Sequence, residues 1–172
     1  MKEKKIEVLL NEYAESHQNK TNKLIHWICV PAIFFSIFGM IRAIPVPVFF
    51  EDFSSYINWA NLILILVLIY YLFLSVPLFL GFIFWGLFVS FGNEFLFQLL
   101  GTKGLLWLSL GIFALAWVGQ FIGHGIEGKK PSFFKDLQFL LIGPAWLMNF
   151  IFGTVKLKAS EPMSKSNSDD IL

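Results

Sequence analysis

The sequence predicts an all-α polytopic membrane bundle: four spans, a fifth kinked or re-entrant apolar segment, and an amphipathic helix at the N-terminus. Composition points there first, because 56% of the 172 residues are hydrophobic and only 15% are charged, against about 25% charged in an ordinary soluble domain. The 21 Phe and 6 Trp deepen the bias. Patterning points there next, because the apolar residues fall in stretches long enough to cross a bilayer. Residues 1–23 are charged and polar and offer no apolar core for a cleavable signal peptide, so the first span is expected to serve for insertion.

Each element has its own signal. In residues 2–18, Ile6, Leu9, Leu10 and Tyr13 recur at helical spacing with charges opposite. That pattern predicts a helix lying on the membrane surface or packed under the bundle. Residues 19–22 (NKTN) interrupt it, and Thr21 or Asn22 is the expected N-cap of the next helix. The first span is expected over residues 24–44, stopped by Pro45 and Pro47. Residues 61–100 carry one charge, Glu94. As one helix they would measure about 60 Å, twice the roughly 30 Å of a hydrocarbon core, so they divide into two spans turning near Ser75, Val76 and Pro77. Residues 101–104 form a short loop and residues 105–123 a fourth span. Residues 137–152 are apolar but shorter, and Gly143–Pro144 breaks them. The chain thus divides into residues 1–22, a ligand-bearing N-terminal helix and turn; 23–155, the bundle; and 156–172, a polar, Ser-rich tail expected to be disordered.

Charge placement sets the orientation. Lys2, Lys4, Lys5, Lys20 and Lys23 precede the first span, and Lys129, Lys130 and Lys135 follow the fourth. An even span count puts both groups on one side, which the positive-inside rule makes cytoplasmic. Lys156, Lys158 and Lys165 in the tail favour a re-entrant fifth segment over a fifth span. Trp27, Trp59, Trp107 and Trp146 fall near span ends, where interfacial tryptophans gather. The net charge of +1 gives no reason to expect nucleic acid, and the single Cys29 supports neither a disulfide framework nor a cysteine-based metal motif.

All three histidines lie in two polar islands at the borders of these spans. HQNKTNKLIH holds His17, Asn22 and His26; QFIGHGIEGKKP holds Gln120, His124 and Glu127. Imidazole is the commonest protein ligand for a catalytic metal, and polar groups near membrane depth point to function. Nine steps of about 100° would put His17 and His26 on opposite faces of one helix, so sharing an ion requires a bend at residues 19–22. Asn22 with His26 and Gln120 with His124 share i, i+4 spacing, and Glu127 follows His124 at i+3. Gly123 and Gly125 beside His124 allow close backbone approach. There is no HExxH pair, EF-hand loop, phosphate loop or G-x-S-x-G elbow. Three imidazoles would leave open positions on an octahedral metal and keep its full charge, which suits an anionic chelator such as a 2-hydroxy acid. A two-histidine, one-carboxylate iron site using Glu127 is the other familiar arrangement. Spacing alone does not name the metal.

The paired motifs His17-x4-Asn22-x3-His26 with Pro31 beyond, then Gln120-x2-Gly123-His124-x2-Glu127-x3-Pro131, resemble those of the Mpo-type 2-hydroxy fatty acid dioxygenases, long described as a membrane domain of unknown function. The likeness spans roughly residues 5–155 in motif order and span pattern. It implies an Fe(2+)-dependent, 2-oxoglutarate-independent oxygenase. Such an enzyme uses O2 to shorten a 2-hydroxy fatty acid by one carbon with release of CO2, in fatty acid α-oxidation; in fungi the step serves phytosphingosine breakdown. By the same resemblance, His17, His26 and His124 hold the metal, and Asn22, Gln120 and Glu127 are the accompanying polar positions. Asn22 and Gln120 would orient ligands or substrate. Glu127 would be a further ligand, a hydrogen-bond partner of a histidine, or an ion-pair partner of Lys129 or Lys130. Those lysines either attract the substrate carboxylate or simply mark the cytoplasmic side. A bacterial bearer places the protein in the inner membrane and a eukaryotic one in the endoplasmic reticulum; the short chain and plain tail favour the former. A metal-dependent lipid hydrolase and a non-enzymatic lipid-binding bundle are the alternatives from other classes.

Overall fold

The computed structural model describes residues 18–128, together with Val8, Leu10, Asn11 and Pro144. The rest of the N-terminal helix, the fifth apolar segment apart from Pro144, and the tail lie outside the described residues. So do His17, Lys129 and Lys130.

Among the described residues the architecture is wholly helical. Helix α1 is Lys20–Arg42, α2 is Val48–Phe53, α3 is Trp59–Leu74, and α4 is Val76–Glu127. Helices α1 and α4 are long and apolar enough to cross a membrane; α3 is apolar but shorter. Helix α4 is broken at Gly101, whose φ of 67° and ψ of 179° are non-helical. Glycine is suited to this corner because it has no Cβ to clash at positive φ. The break makes two arms, 76–100 and 102–127. Contacts give their directions. Phe34 meets Phe82 and Arg42 meets Glu94, so the first arm runs parallel to α1. Gly39 lies against Ser109, Cys29 against Gly119 and His26 against His124, so the second arm runs antiparallel to α1. Helix α3 is antiparallel to the first arm, with Tyr71 stacked on Phe82 at 3.8 Å and Leu64 against Gly86. The four long segments therefore alternate in direction.

Two apolar clusters hold them together. The larger joins Val30, Phe34 and Phe38 of α1 to Ala60, Leu64 and Tyr71 of α3 and to Leu78, Phe82 and Val89 of α4, with Leu10 buried among them. The smaller joins Cys29 and Ile33 to Ala116 and Trp117. The outer surface is apolar as well: Phe84, Trp107 and Leu115 are each more than 70% exposed.

Several boundaries differ from those the sequence predicts. Helix α1 begins four residues early, at Lys20, because Asn19 rather than Thr21 or Asn22 is the N-cap. Its side chain accepts from the backbone N–H groups of Thr21 and Asn22. The helix stops at Arg42, with Ala43 as its C-cap. The connection to α3 contains the unforeseen short helix α2, too brief to show periodicity. The α3–α4 corner falls at Ser75, with extended φ and ψ and Pro77 just beyond, as expected. The loop expected over residues 101–104 reduces to Gly101, since helix resumes immediately.

Candidate metal centre

The alternating directions bring the start of α1 and the end of α4 to one end of the bundle. His26 and His124 meet there edge to face, with ring centroids 5.1 Å apart and planes at 89°. Both are buried, at 1% and 4% exposure. Asn22 and Gln120, one turn before each histidine, are buried too. On α4 the buried residues Ala116, Trp117, Gln120, Gly123 and His124 trace a single helical stripe facing α1.

Close packing of backbones makes this possible. Gly119 and Gly123 are four residues apart, the small-x-x-x-small pattern of membrane helix pairs. A Cβ at Gly119 would meet Cys29 Sγ at 2.6 Å, and one at Gly123 would meet Asn22 Oδ1 at 2.5 Å and His26 Cε1 at 3.5 Å. The absent side chains let the two histidine-bearing helices approach.

Local geometry also fixes His26. Its Nδ1 lies 2.9 Å from the carbonyl oxygen of Asn22. A carbonyl can only accept, so Nδ1 carries the hydrogen, and in the neutral ring Nε2 keeps the lone pair. This is the arrangement of a metal-binding histidine, whose other ring nitrogen donates to a carbonyl or carboxylate. Two imidazoles sharing an ion at about 2.1 Å per bond would have centroids about 4.5–5.3 Å apart. The observed separation falls in that range, so the spacing of the His26 and His124 rings is compatible with a shared metal. Among the described residues no three His, Cys, Asp or Glu side chains converge on one point.

Glu127, at the last residue of α4, reaches across to the start of α1. Its Oε1 accepts from Gln18 N at 2.8 Å and Asn19 N at 3.3 Å; its Oε2 accepts from Asn19 N at 3.0 Å and Asn22 Nδ2 at 2.8 Å. Gly128, with φ of 73°, ends the helix in the left-handed cap that glycine favours. Of the sequence-predicted residues, then, Asn22, His26, Gln120, His124 and Glu127 share one end of the bundle.

Sequence reasoning missed Gly119, whose spacing from Gly123 was readable. It also missed the pairing of Arg42 with Glu94 at the other end of the bundle. There Arg42 Nε donates to Glu94 Oε2 at 2.8 Å, and the guanidinium sits 3.6 Å over the Phe97 ring. Two lone opposite charges in apolar sequence are themselves a signal to seek a pair.

Comparison with known proteins agrees with the motifs. The family described as "2-hydroxy-palmitic acid dioxygenase Mpo1-like" matches residues 4–155. The chain is 29% identical over 157 residues to the 2-hydroxy-palmitic acid dioxygenase MPO1 of Saccharomyces cerevisiae (strain ATCC 204508 / S288c), covering 83% of this chain and 78% of the yeast protein. No solved structure matches. With the matched region spanning most of its length, the chain belongs to the Mpo1-like family of 2-hydroxy-palmitic acid dioxygenases.

Proposed function

We propose that this protein is an iron(II)-dependent membrane dioxygenase that converts a 2-hydroxy fatty acid to the fatty acid one carbon shorter. The observation that carries the reading is the buried His26–His124 pair, held on two different helices with the His26 tautomer set by Asn22. Family membership supplies the reaction class. His17, one residue before the Gln18 amide held by Glu127, is the third histidine of the set.

The overall reaction balances without a second reductant. R–CH(OH)–COOH and O2 give R–COOH, CO2 and H2O; the substrate loses four electrons and one O2 takes four. Held by His26, His124 and His17, iron(II) would supply chelation of the acid through its hydroxyl and carboxylate oxygens and activation of O2. The chain supplies the rest. Asn22 O holds the Nδ1 proton of His26 and keeps the ring turned. The Gly119–Gly123 face, with no side chains of its own, lets Cys29, Asn22 and His26 of α1 pack directly against the α4 backbone. Gln120, buried one turn before His124, offers an amide to orient the polar head of the acid.

The apolar exterior and the two long apolar helices support insertion in a bilayer with four crossings, α4 making two of them. Lys20 and Lys23 stand at the histidine end, which supports placing it at the cytoplasmic face. The acyl chain would lie along the lipid-facing helices. Purified protein supplied with 2-hydroxypalmitate, palmitate and 3-hydroxypalmitate tests the proposal. Expected is uptake of one O2 per CO2 released from the 2-hydroxy acid alone, abolished by iron chelation and restored by iron(II). Equal turnover of palmitate, or chelator-resistant activity, would rule it out.

A further inference from the structure

Glu127 holds the N-terminus of α1 from another helix, and this gives it a specific task. In an ordinary capping box, the residue three past the N-cap is Glu or Gln and reaches back to the N-cap N–H. Here Asn19 is the N-cap, the third residue is Asn22, and the first turn of α1 holds no acid. The N–H groups of Gln18 and Asn19 turn instead to the Glu127 carboxylate, which also receives the Asn22 amide. The negative charge sits at the positive end of the α1 dipole, where it is favoured.

These contacts tie Glu127 to the segment that carries His26, while His124 lies on its own helix and His17 directly precedes Gln18 in the sequence. His124 is three residues before Glu127 on the same helix. Asn22, bound to Glu127 through Nδ2, presents its backbone oxygen to His26 Nδ1. His17 is bonded to Gln18, whose amide nitrogen is 2.8 Å from Glu127 Oε1. We infer that Glu127 is a positioning residue, a carboxylate clamp that assembles the metal centre by docking the turn at residues 18–22 onto the end of α4, and is not itself a metal ligand. The inference rests on the metal reading above.

The test uses the full chain in lipid nanodiscs, the Glu127→Gln and Glu127→Asp variants, and cobalt(II) as an optical probe. The clamp predicts two effects of Glu127→Gln. Amide hydrogen exchange at Gln18 and Asn19 accelerates about 10-fold or more. Cobalt(II) affinity falls about 10- to 100-fold, the usual effect of losing a partner that orients a ligand. At saturation the cobalt spectrum matches that of the parent protein, because the ligand set is unchanged. Glu127→Asp, keeping the charge but shortening the reach, falls between parent and Gln variant, and it carries the test alone if Glu127→Gln does not fold. An altered spectrum at saturation overturns the inference by making Glu127 a ligand. Parent-like affinity despite faster amides overturns it by uncoupling clamp from site, and failure of both variants to fold overturns it by making Glu127 a determinant of the whole fold. If the parent protein takes up no cobalt(II), the metal reading itself fails, whatever the amides show.

Discussion

The two ends of the bundle both bury polar groups, and they resolve the cost in opposite ways. At the Gly101 end, charge meets charge: Arg42 and Glu94 pair at 2.8 Å, Gln98 donates to the other Glu94 oxygen at 2.7 Å, and Phe97 covers the guanidinium. At the histidine end, about 24 Å back along α1 by helix rise, the buried polar groups among the described residues are imidazoles and amides, and the Glu127 carboxylate is given to N–H donors of the chain. The first arrangement neutralises its own charges and ties α1 to the first arm of α4. The second sets two imidazoles side by side, with no carboxylate between them among the described residues, an arrangement that suits the proposed cation. A buried polar cluster thus reads as structural where its charges cancel and as a site where its ligands outnumber its charges.

Removing ligands should expose the difference most strongly. His26→Ala or His124→Ala is expected to lower turnover of 2-hydroxypalmitate on the order of 10³-fold, the several kcal/mol that a bound metal contributes. The fold should survive, as thermal unfolding of the metal-free variants would show. The other end should behave in reverse. Glu94→Leu alone strands Arg42 and is expected to destabilise the protein by about 3–5 kcal/mol, while Arg42→Met with Glu94→Leu together recovers most of that loss. Turnover per folded molecule should be kept in the double variant; a 100-fold loss there would mean that the ion pair serves the chemistry.

Smaller changes sharpen the comparison. Gly123→Ala puts a methyl group 2.5 Å from Asn22 Oδ1 and should cost about 1–3 kcal/mol and loosen the metal. Gly111→Ala on the same arm meets nothing within 4 Å and should stabilise the helix by about 0.5–1 kcal/mol without touching turnover. Denaturant titration and cobalt binding on the pair separate packing at the site from packing elsewhere. Asn19→Ala removes the N-cap of α1 and is expected to cost about 1 kcal/mol in the same unfolding measurement.

Much of this was legible in the residues. Length against bilayer thickness divided residues 61–100 at the right corner, because Pro77 cannot continue a helix from α3. The i, i+4 spacing placed Asn22 with His26, and direction counting brought His26 to the end that holds His124. The boundaries were less legible. Asn19 and Asn22 are both good N-caps by type, and only the side-chain contacts of Asn19 decide between them. The loop at Gly101 looked longer because Gly104 also reads as a breaker, yet a single positive-φ residue makes the corner. The task of Glu127 could not be read from spacing, because its partners lie more than a hundred residues away in the chain. Neither the metal nor the substrate follows from spacing; both are what the motif resemblance implies.

The most direct measurement of the central claim is X-ray absorption at the iron edge, combined with iron content, on the purified protein and on the His26→Ala, His124→Ala double variant. The account predicts about one iron per chain, coordinated by imidazole nitrogen and oxygen ligands, in the parent protein, and loss of both iron and oxygen uptake in the double variant. Full iron content and undiminished oxygen uptake in the double variant would contradict it.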